Sequence, residues 1–349
     1  MAKRGGAETC ATARHEQCYG ARRNTASAKQ WHTPRSTSSS AGPLSSGSPT
    51  RRSFLKVSAT AGAALAGQYL GWPLRGIEAA EAKAVPGVEV AGGKAGPVID
   101  CHAHLTHRSS AAYREEDRRL IDAADKLQID QLCCSILTPR RPATAEGFRE
   151  CNAWLAEAMK CFAGRVLAYC YVNPGYGREA VEEIRRCVED RGFIGIKLYN
   201  EYVCTEPVVF PIVELAIKLR VPILHHAGHA HYPVPDQPRI SDGGHLAELA
   251  RRYPEARLIC AHLGGGGDWE WTIKALRHAH SVFLDTSGSV IDEGLVEMAA
   301  GILGVDRLLF GCDMSMTAGV GKIRGARLSP EGKRRILGGN MLRLLKLRG

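Results

Sequence analysis

From Val98 onward the chain repeats one pattern of apolar and polar positions. A short run rich in β-branched residues is followed by an amphipathic stretch, eight times over. The apolar runs predict strands at Val98–His102, Gln131–Leu137, Val166–Val172, Phe193–Leu198, Val221–His226, Arg257–His262, Val282–Thr286 and Arg307–Cys312. Apolar residues at helical spacing predict helices over Ala112–Leu127, Ala145–Phe162, Arg178–Asp190, Pro207–Leu219, Gly244–Arg252, Trp269–Ala279, Asp292–Leu303 and Pro330–Leu345. Strands alternating with helices argue for βαβ units and a parallel sheet. Eight such units in roughly 250 residues is the size of a (β/α)₈ TIM barrel, an α/β fold. A doubly wound open sheet would normally carry a glycine-rich phosphate turn after its first strand. Here that place holds His102-Ala103-His104.

The first 97 residues break the pattern. Residues 1–50 are polar and Ser-rich, with the run Ser36-Thr37-Ser38-Ser39-Ser40. Such a segment buries too little surface to offset its ordering entropy, so disorder is expected. Residues 51–84 open on Arg51-Arg52-Ser53-Phe54-Leu55-Lys56, continue through a mildly apolar stretch from Val57 to Leu74, and end in small residues around Ala79-Ala80. Charged, apolar and small-residue regions in that order form a secretory leader. Gly62, Gly67, Gly71 and Pro73 interrupt it, which argues against a stable membrane-spanning helix. The segment resembles a twin-arginine signal. That resemblance implies export of a folded protein to the bacterial periplasm, with the export machinery as a partner. Residues 85–97, rich in Gly and Pro, read as a linker, and 98–349 as the barrel domain.

Charge changes little once it is located. The net charge is +10, but residues 1–84 carry 12 Lys/Arg against 4 Asp/Glu, leaving 34 against 32 in the rest. The barrel is nearly neutral, so no nucleic-acid partner is expected. The 12 cysteines include no CxxC pair. Cys133, Cys134, Cys170 and Cys260 sit in apolar runs and read as small core residues. Strand alternation predicts that Cys101 and Cys312 point away from their polar neighbours.

Active sites in these barrels lie at the C-terminal ends of the strands. Strand 1 ends in His102-Ala103-His104, where positions i and i+2 share a face. Strand 4 ends at Lys197, which shares a face with Gly195 and Tyr199. Strand 5 ends in His225-His226, of which alternation lets only one point inward. Strand 6 ends at His262 and strand 8 at Asp313. Imidazole and carboxylate together suit Zn²⁺ and neighbouring transition metals. The alternative is a hydrogen-bonded polar rim without an ion.

The segments VIDCHAH (Val98–His104), PILHHAG (Pro222–Gly228), ICAHLGG (Ile259–Gly265), LFGCD (Leu309–Asp313) and ILGGNMLRLL (Ile336–Leu345) resemble the amidohydrolase superfamily, in its amidohydrolase-related branch. The resemblance runs from Val98 to about the C-terminus. It implies one divalent metal, zinc first, held by His102, His104, His226 and Asp313, with His262 as an unligated acid/base. It also implies a hydrolase that turns metal-activated water on an amide, ester or lactone of a small-molecule substrate. Asp313 would accept a proton from that water. A non-oxidative decarboxylase with the same ligands is the alternative, and a non-catalytic metal-binding barrel a third. In two-metal members a carboxylated lysine on strand 4 bridges the ions. Lys197 would then bridge and His262 would become a ligand. Otherwise Lys197 would pair with a carboxylate such as Glu201.

A decarboxylase needs a cation for its substrate. Arg140 and Arg141 follow strand 2, and Lys322 and Arg324 lie in what reads as a long loop after strand 8. Asn173, Asn200 and Thr286 are further rim positions. His229 and His231 repeat the HxH spacing in a Pro-rich loop and read as a solvated segment or a lid contact. Gly264 to Gly267, with Trp269 and Trp271, read as a loop and helix start. No haem, flavin or nucleotide motif is present, so no organic cofactor is expected. Homo-oligomerisation is left open.

Overall fold

Eight short strands lie side by side in chain order, and every neighbouring pair is parallel. They are β1 (Ile99–His104), β2 (Gln131–Ser135), β3 (Val166–Tyr171), β4 (Gly195–Leu198), β5 (Ile223–His225), β6 (Leu258–Cys260), β7 (Val282–Asp285) and β8 (Leu308–Leu309). The backbone N–H of Cys101 donates to Phe310 O at 2.8 Å, and that of Asp313 to His102 O at 2.8 Å. These bonds join the end of β8 to β1 and close the ring. This computed structural model describes residues 96–346, apart from 107–110, 139–140, 232–234, 236, 264 and 266. The polar segment, the leader and nearly all of the linker fall outside the described residues, as does Arg140.

The helices are α1 (Ala111–Lys126), α2 (Ala145–Cys161), α3 (Arg178–Arg185), α4 (Phe210–Leu219), α5 (Gly243–Arg252), α6 (Trp269–Leu276), α7 (Leu295–Leu303), α8 (Met316–Gly325), α9 (Pro330–Arg334) and α10 (Asn340–Lys346). One apolar cluster fills the shell between strands and helices. A second fills the barrel interior, with Ile99, Cys133, Leu167, Tyr169, Leu224 and Ile259. Met341 and Leu344 of α10 pack against the interior cluster, plugging the end where the strands begin. That leaves the opposite end open for chemistry, as the fold requires. No described helix is long and apolar enough to cross a membrane.

Two expectations are corrected. The stretch after β8 is not a long loop: it forms α8, which carries Lys322. Its three glycines, Gly319, Gly321 and Gly325, lower helix propensity. Burial of Met316, Val320 and Ile323 on one face overrides that. The C-terminal helix expected over Pro330–Leu345 is present, running without a break through α9, a π-helical turn at Arg335–Gly339 and α10. The turn brings Gly338 so close to the start of β1 that a Cβ there would lie 1.9 Å from Pro97 O. Finally, Cys101 does not turn away from the interior but joins the interior cluster. The β1–β2 register shifts between Asp100 and Ala103, so simple alternation fails at this point. Cys312 does pack in the outer shell.

Candidate metal centre

Four strand ends bring their polar side chains together at the open end. His102 is fully buried, and its Nδ1 lies 2.8 Å from Asp285 Oδ2. Asp285 is fully buried as well and accepts the backbone N–H groups of Ser287 (2.7 Å) and His262 (3.2 Å) on Oδ1. Burial alone would raise its pKa; the His102 contact and the hydrogen bonds outweigh burial and hold Asp285 well below the usual carboxylate range. Asp285 is therefore ionised, and His102 donates Nδ1–H to it. The Nε2 lone pair of His102 is left facing the barrel axis. Burial and the charge of Lys197 keep His102 neutral by lowering its pKa.

His104 is oriented in the same way. Its Nδ1 lies 3.0 Å from Ser135 Oγ and 3.2 Å from Ser135 O, which turns Nε2 inward. Asp313 faces both rings: Oδ1 is 3.2 Å from His104 Nε2 and 3.7 Å from His102 Nε2. Its other oxygen, Oδ2, is 3.5 Å from His262 Nδ1. Although partly buried, Asp313 is held well below the ordinary range by its His104 contact and the surrounding imidazoles. Two ligands bound at about 2.0–2.2 Å to one ion stand roughly 3.0–3.6 Å apart. Asp313 Oδ1, at 3.2 Å from His104 Nε2 and 3.7 Å from His102 Nε2, is close to that spacing, and donor atoms of the three residues all lie within 4.8 Å of one another, a group that suits a divalent transition metal.

Two of these residues adopt left-handed backbone, His262 at φ 66° and Asp313 at φ 44°. Such conformations cost of the order of 1–3 kcal/mol each and persist where the surroundings over-determine them. They aim the two side chains at each other across the end of the barrel.

The remaining sequence candidates fall around this group. His226 is one ring away from it. Its Nδ1 is 2.8 Å from His262 Nε2, its Nε2 is 2.9 Å from Gln237 Oε1, and its ring stacks on Tyr199 at 4.2 Å. It is not among the donor atoms that converge with His102, His104 and Asp313. His225 is buried and bonds through Nδ1 to the carbonyl of His226 at 2.8 Å. His262 Nδ1 is also 2.9 Å from Ser287 Oγ, and burial pushes its pKa down to about 4. A second donor group joins His102, His262 and Asp285.

Lys197 is fully buried, with Nζ 2.8 Å from His102 Nε2. Its N–H donates to the very lone pair that an ion would take. Desolvation brings its pKa down to about 8. The expected pairing with Glu201 is not formed: Glu201 accepts a hydrogen bond from Tyr171 OH. Lys197 faces the barrel axis, whereas Glu201 lies beyond the end of β4, where its side chain turns to β3. Among the described residues no carboxylate lies within ion-pair distance of Lys197.

Of the cations considered for a substrate, Arg141 is at the rim, its guanidinium 4.0 Å over the Tyr199 ring. It borders a cleft of about 620 Å³ that also involves Asn200, Glu201, Tyr202 and Arg239. Lys322 and Arg324 are engaged in the scaffold. Lys322 donates to Gly288 O at 2.7 Å, and Arg324 to Leu127 O at 3.2 Å. Asn173 pins the β2 loop by donating to Ala143 O, and Thr286 accepts from Gly311 N–H. Asp285, Ser287, Ser135 and Gln237 were not anticipated. Asp285 carried a readable signal, a carboxylate at the end of a barrel strand.

The amidohydrolase family profile matches residues 99–347, most of the barrel. No curated protein sequence matches the chain. Among solved structures, 2,6-dihydroxybenzoate decarboxylase from Rhizobium is 20% identical, covering 73% of this chain and 100% of that one with a TM-score of 0.57. A dihydroxybenzoic acid decarboxylase from Polaromonas, solved with bound manganese and an inhibitor, is 18% identical over 73% and 98%, with a TM-score of 0.56. A 4-oxalomesaconate hydratase from Rhodopseudomonas palustris is 19% identical over 72% and 96%, with a TM-score of 0.57. At these identities the likeness establishes the fold. With the family match over 99–347 and the inward-facing His–His–Asp group, the chain belongs to the amidohydrolase family of metal-dependent barrel enzymes.

Proposed function

We propose that this protein is a metal-dependent hydrolase acting on the carbonyl group of a small amide, ester or lactone. The observation that carries the reading is the division of Asp313. One oxygen faces the His102–His104 pair, and the other faces His262 at 3.5 Å. A divalent ion held by His102, His104 and Asp313, with His226 as a fourth ligand after rotation away from Gln237, would lower the pKa of water from about 15.7 toward ~7 and polarise a carbonyl. Zinc suits the donors, and manganese occupies a structural neighbour. Asp313 is ionised and able to take a proton at Oδ2. His262, neutral at pH 7, accepts that proton and delivers it to the leaving group. Lys197 would give up its contact with His102 if an ion were held there. In a two-metal variant of this reading Lys197, carboxylated when its neutral amine adds CO₂ and loses a proton, would supply the bridging carbamate.

A decarboxylase is the second reading, and Arg141 favours it. Its guanidinium stands at the rim in the same cleft as Glu201, which feels its charge, but with no carboxylate within ion-pair distance among the described residues, so it can fix a substrate carboxylate in bidentate fashion. Two of the three neighbours named above are decarboxylases.

Metal-loaded protein is to be offered a panel of lactones, esters and amides, and separately a panel of hydroxybenzoic acids. Hydrolysis that His262→Asn abolishes supports the hydrolase. CO₂ release without hydrolysis supports the decarboxylase. Neither activity, with metal bound, leaves the non-catalytic barrel and defeats both.

A further inference from the structure

Two loops leave the open end of the barrel after β5 and β6, and they meet through histidines and carboxylates that the centre above does not use. Asp242 caps α5: its Oδ1 accepts the backbone N–H of Gly244 at 2.9 Å and of His245 at 3.0 Å. Its Oδ2 lies 3.1 Å from His229 Nδ1. Asp268 caps α6 in the same manner, with Oδ1 accepting Trp271 N–H at 2.9 Å. Its Oδ2 lies 3.6 Å from His231 Nε2 and 4.0 Å from His229 Nε2. The backbone N–H of Asp268 donates to His229 O at 2.8 Å, and the His229 ring stacks on Trp271 at 4.0 Å.

Each carboxylate thus uses one oxygen to cap a helix and offers the other to an imidazole. With Nδ1 engaged by Asp242, His229 turns its Nε2, the nitrogen it could offer to an ion, toward Asp268. A carboxylate behind an imidazole is the arrangement that orients metal-binding histidines. His231 brings a second Nε2 to the same oxygen. The Asp268 Oδ2 separation of 3.6 Å from His231 Nε2 is within reach of two ligands on one ion, that of 4.0 Å from His229 Nε2 is a few tenths of an ångström longer, and the two imidazoles stand too far from each other to share an ion as they lie, which leaves a gap between them. The His231 side chain is 73% exposed, so a change of rotamer closes that gap.

We propose that His229, His231 and Asp268 form a second metal site, for a borderline-soft divalent cation such as Zn²⁺ or Ni²⁺, with water completing the coordination. The ion clamps the β5 loop to the β6 loop at the barrel mouth. This site stands apart from the barrel centre and does not depend on which reaction that centre performs.

The test is a Ni²⁺ titration of chelator-treated, full-length protein, followed by tryptophan fluorescence and by equilibrium dialysis. Trp271 lies against His229, so Ni²⁺ bound there quenches its emission. Wild type is expected to bind one more ion per chain than His231→Ala and to show a quenching phase. That phase should weaken at least tenfold in His231→Ala and in Asp268→Asn, which keeps a capping side chain. It should persist in His104→Ala, which disables the barrel centre. Thermal unfolding of His231→Ala should match wild type, since its ring is exposed. Equal ion counts in wild type and His231→Ala, or quenching that is unchanged in His231→Ala, would overturn the proposal.

Discussion

Replacing Asp285 by Asn tests how the centre is oriented. Asn is nearly isosteric, and its Oδ1 can still accept the backbone N–H groups of Ser287 and His262, now at 2.7 and 3.2 Å. Its amide nitrogen then faces His102 Nδ1, where Asp285 Oδ2 accepts at 2.8 Å. Two donors cannot share that position. The imidazole must move its proton to Nε2, and the lone pair facing His104 and Asp313 is lost. Replacing such outer partners typically weakens metal binding by about 10–100-fold, or roughly 1.4–2.8 kcal/mol. The predicted effect for Asp285→Asn lies in that range. The assay is competition for Zn²⁺ against a chromophoric chelator, with near-UV circular dichroism to verify the fold. Unchanged metal affinity in a folded variant would refute the orienting role. Asp285→Ala is the poorer probe, because it leaves buried N–H groups unpaired at about 1–3 kcal/mol each.

Arg141→Gln should leave metal content unchanged and raise KM for carboxylate-bearing substrates at least tenfold, while neutral substrates are unaffected; steady-state kinetics on matched acids and amides decide this. His226→Ala should reduce metal affinity if His226 rotates into the centre as a fourth ligand. Unaltered affinity, with a shifted pH profile of turnover, would instead place it only behind His262. Lys197 gives a stability prediction for metal-stripped protein. Its folded pKa of about 8 lies below the ordinary lysine value of 10.5, so the unfolded chain binds more protons between those values. Stability should therefore rise with pH from about 8 to 10.5, by at most about 1.4 kcal/mol per unit. Lys197→Met should remove that dependence and be the more stable below pH 8, as read from denaturant unfolding.

The barrel was legible because its strands are buried on both faces and separated by amphipathic stretches, a pattern that needs no tertiary knowledge. His102, His104, His262 and Asp313 were legible because a barrel places chemistry at strand ends, and i, i+2 spacing puts two imidazoles on one face. Helix α8 was not, since three glycines argue against a helix and only burial of Met316, Val320 and Ile323 holds it. Cys101 was misread because a register shift cannot be seen from alternation. Alternation can tell that Lys197 faces inward but not what it meets there, so its contact with His102 rather than Glu201 needed coordinates. The same holds for His226. Its position in the strand is readable, while its contacts with His262 and Gln237 depend on loop geometry.

The central claim is that His102, His104 and Asp313 hold a catalytic divalent ion. Elemental analysis of full-length protein, beside His104→Ala and Lys197→Ala, tests it most directly. His231→Ala is the background for all three, so that the loop site does not contribute. The account predicts about one ion per chain in the parent and in Lys197→Ala, and loss of that ion in His104→Ala. Two ions that fall to one without Lys197 would convert the centre to the bridged form. No ion after reconstitution, or an ion retained in His104→Ala, would contradict the account.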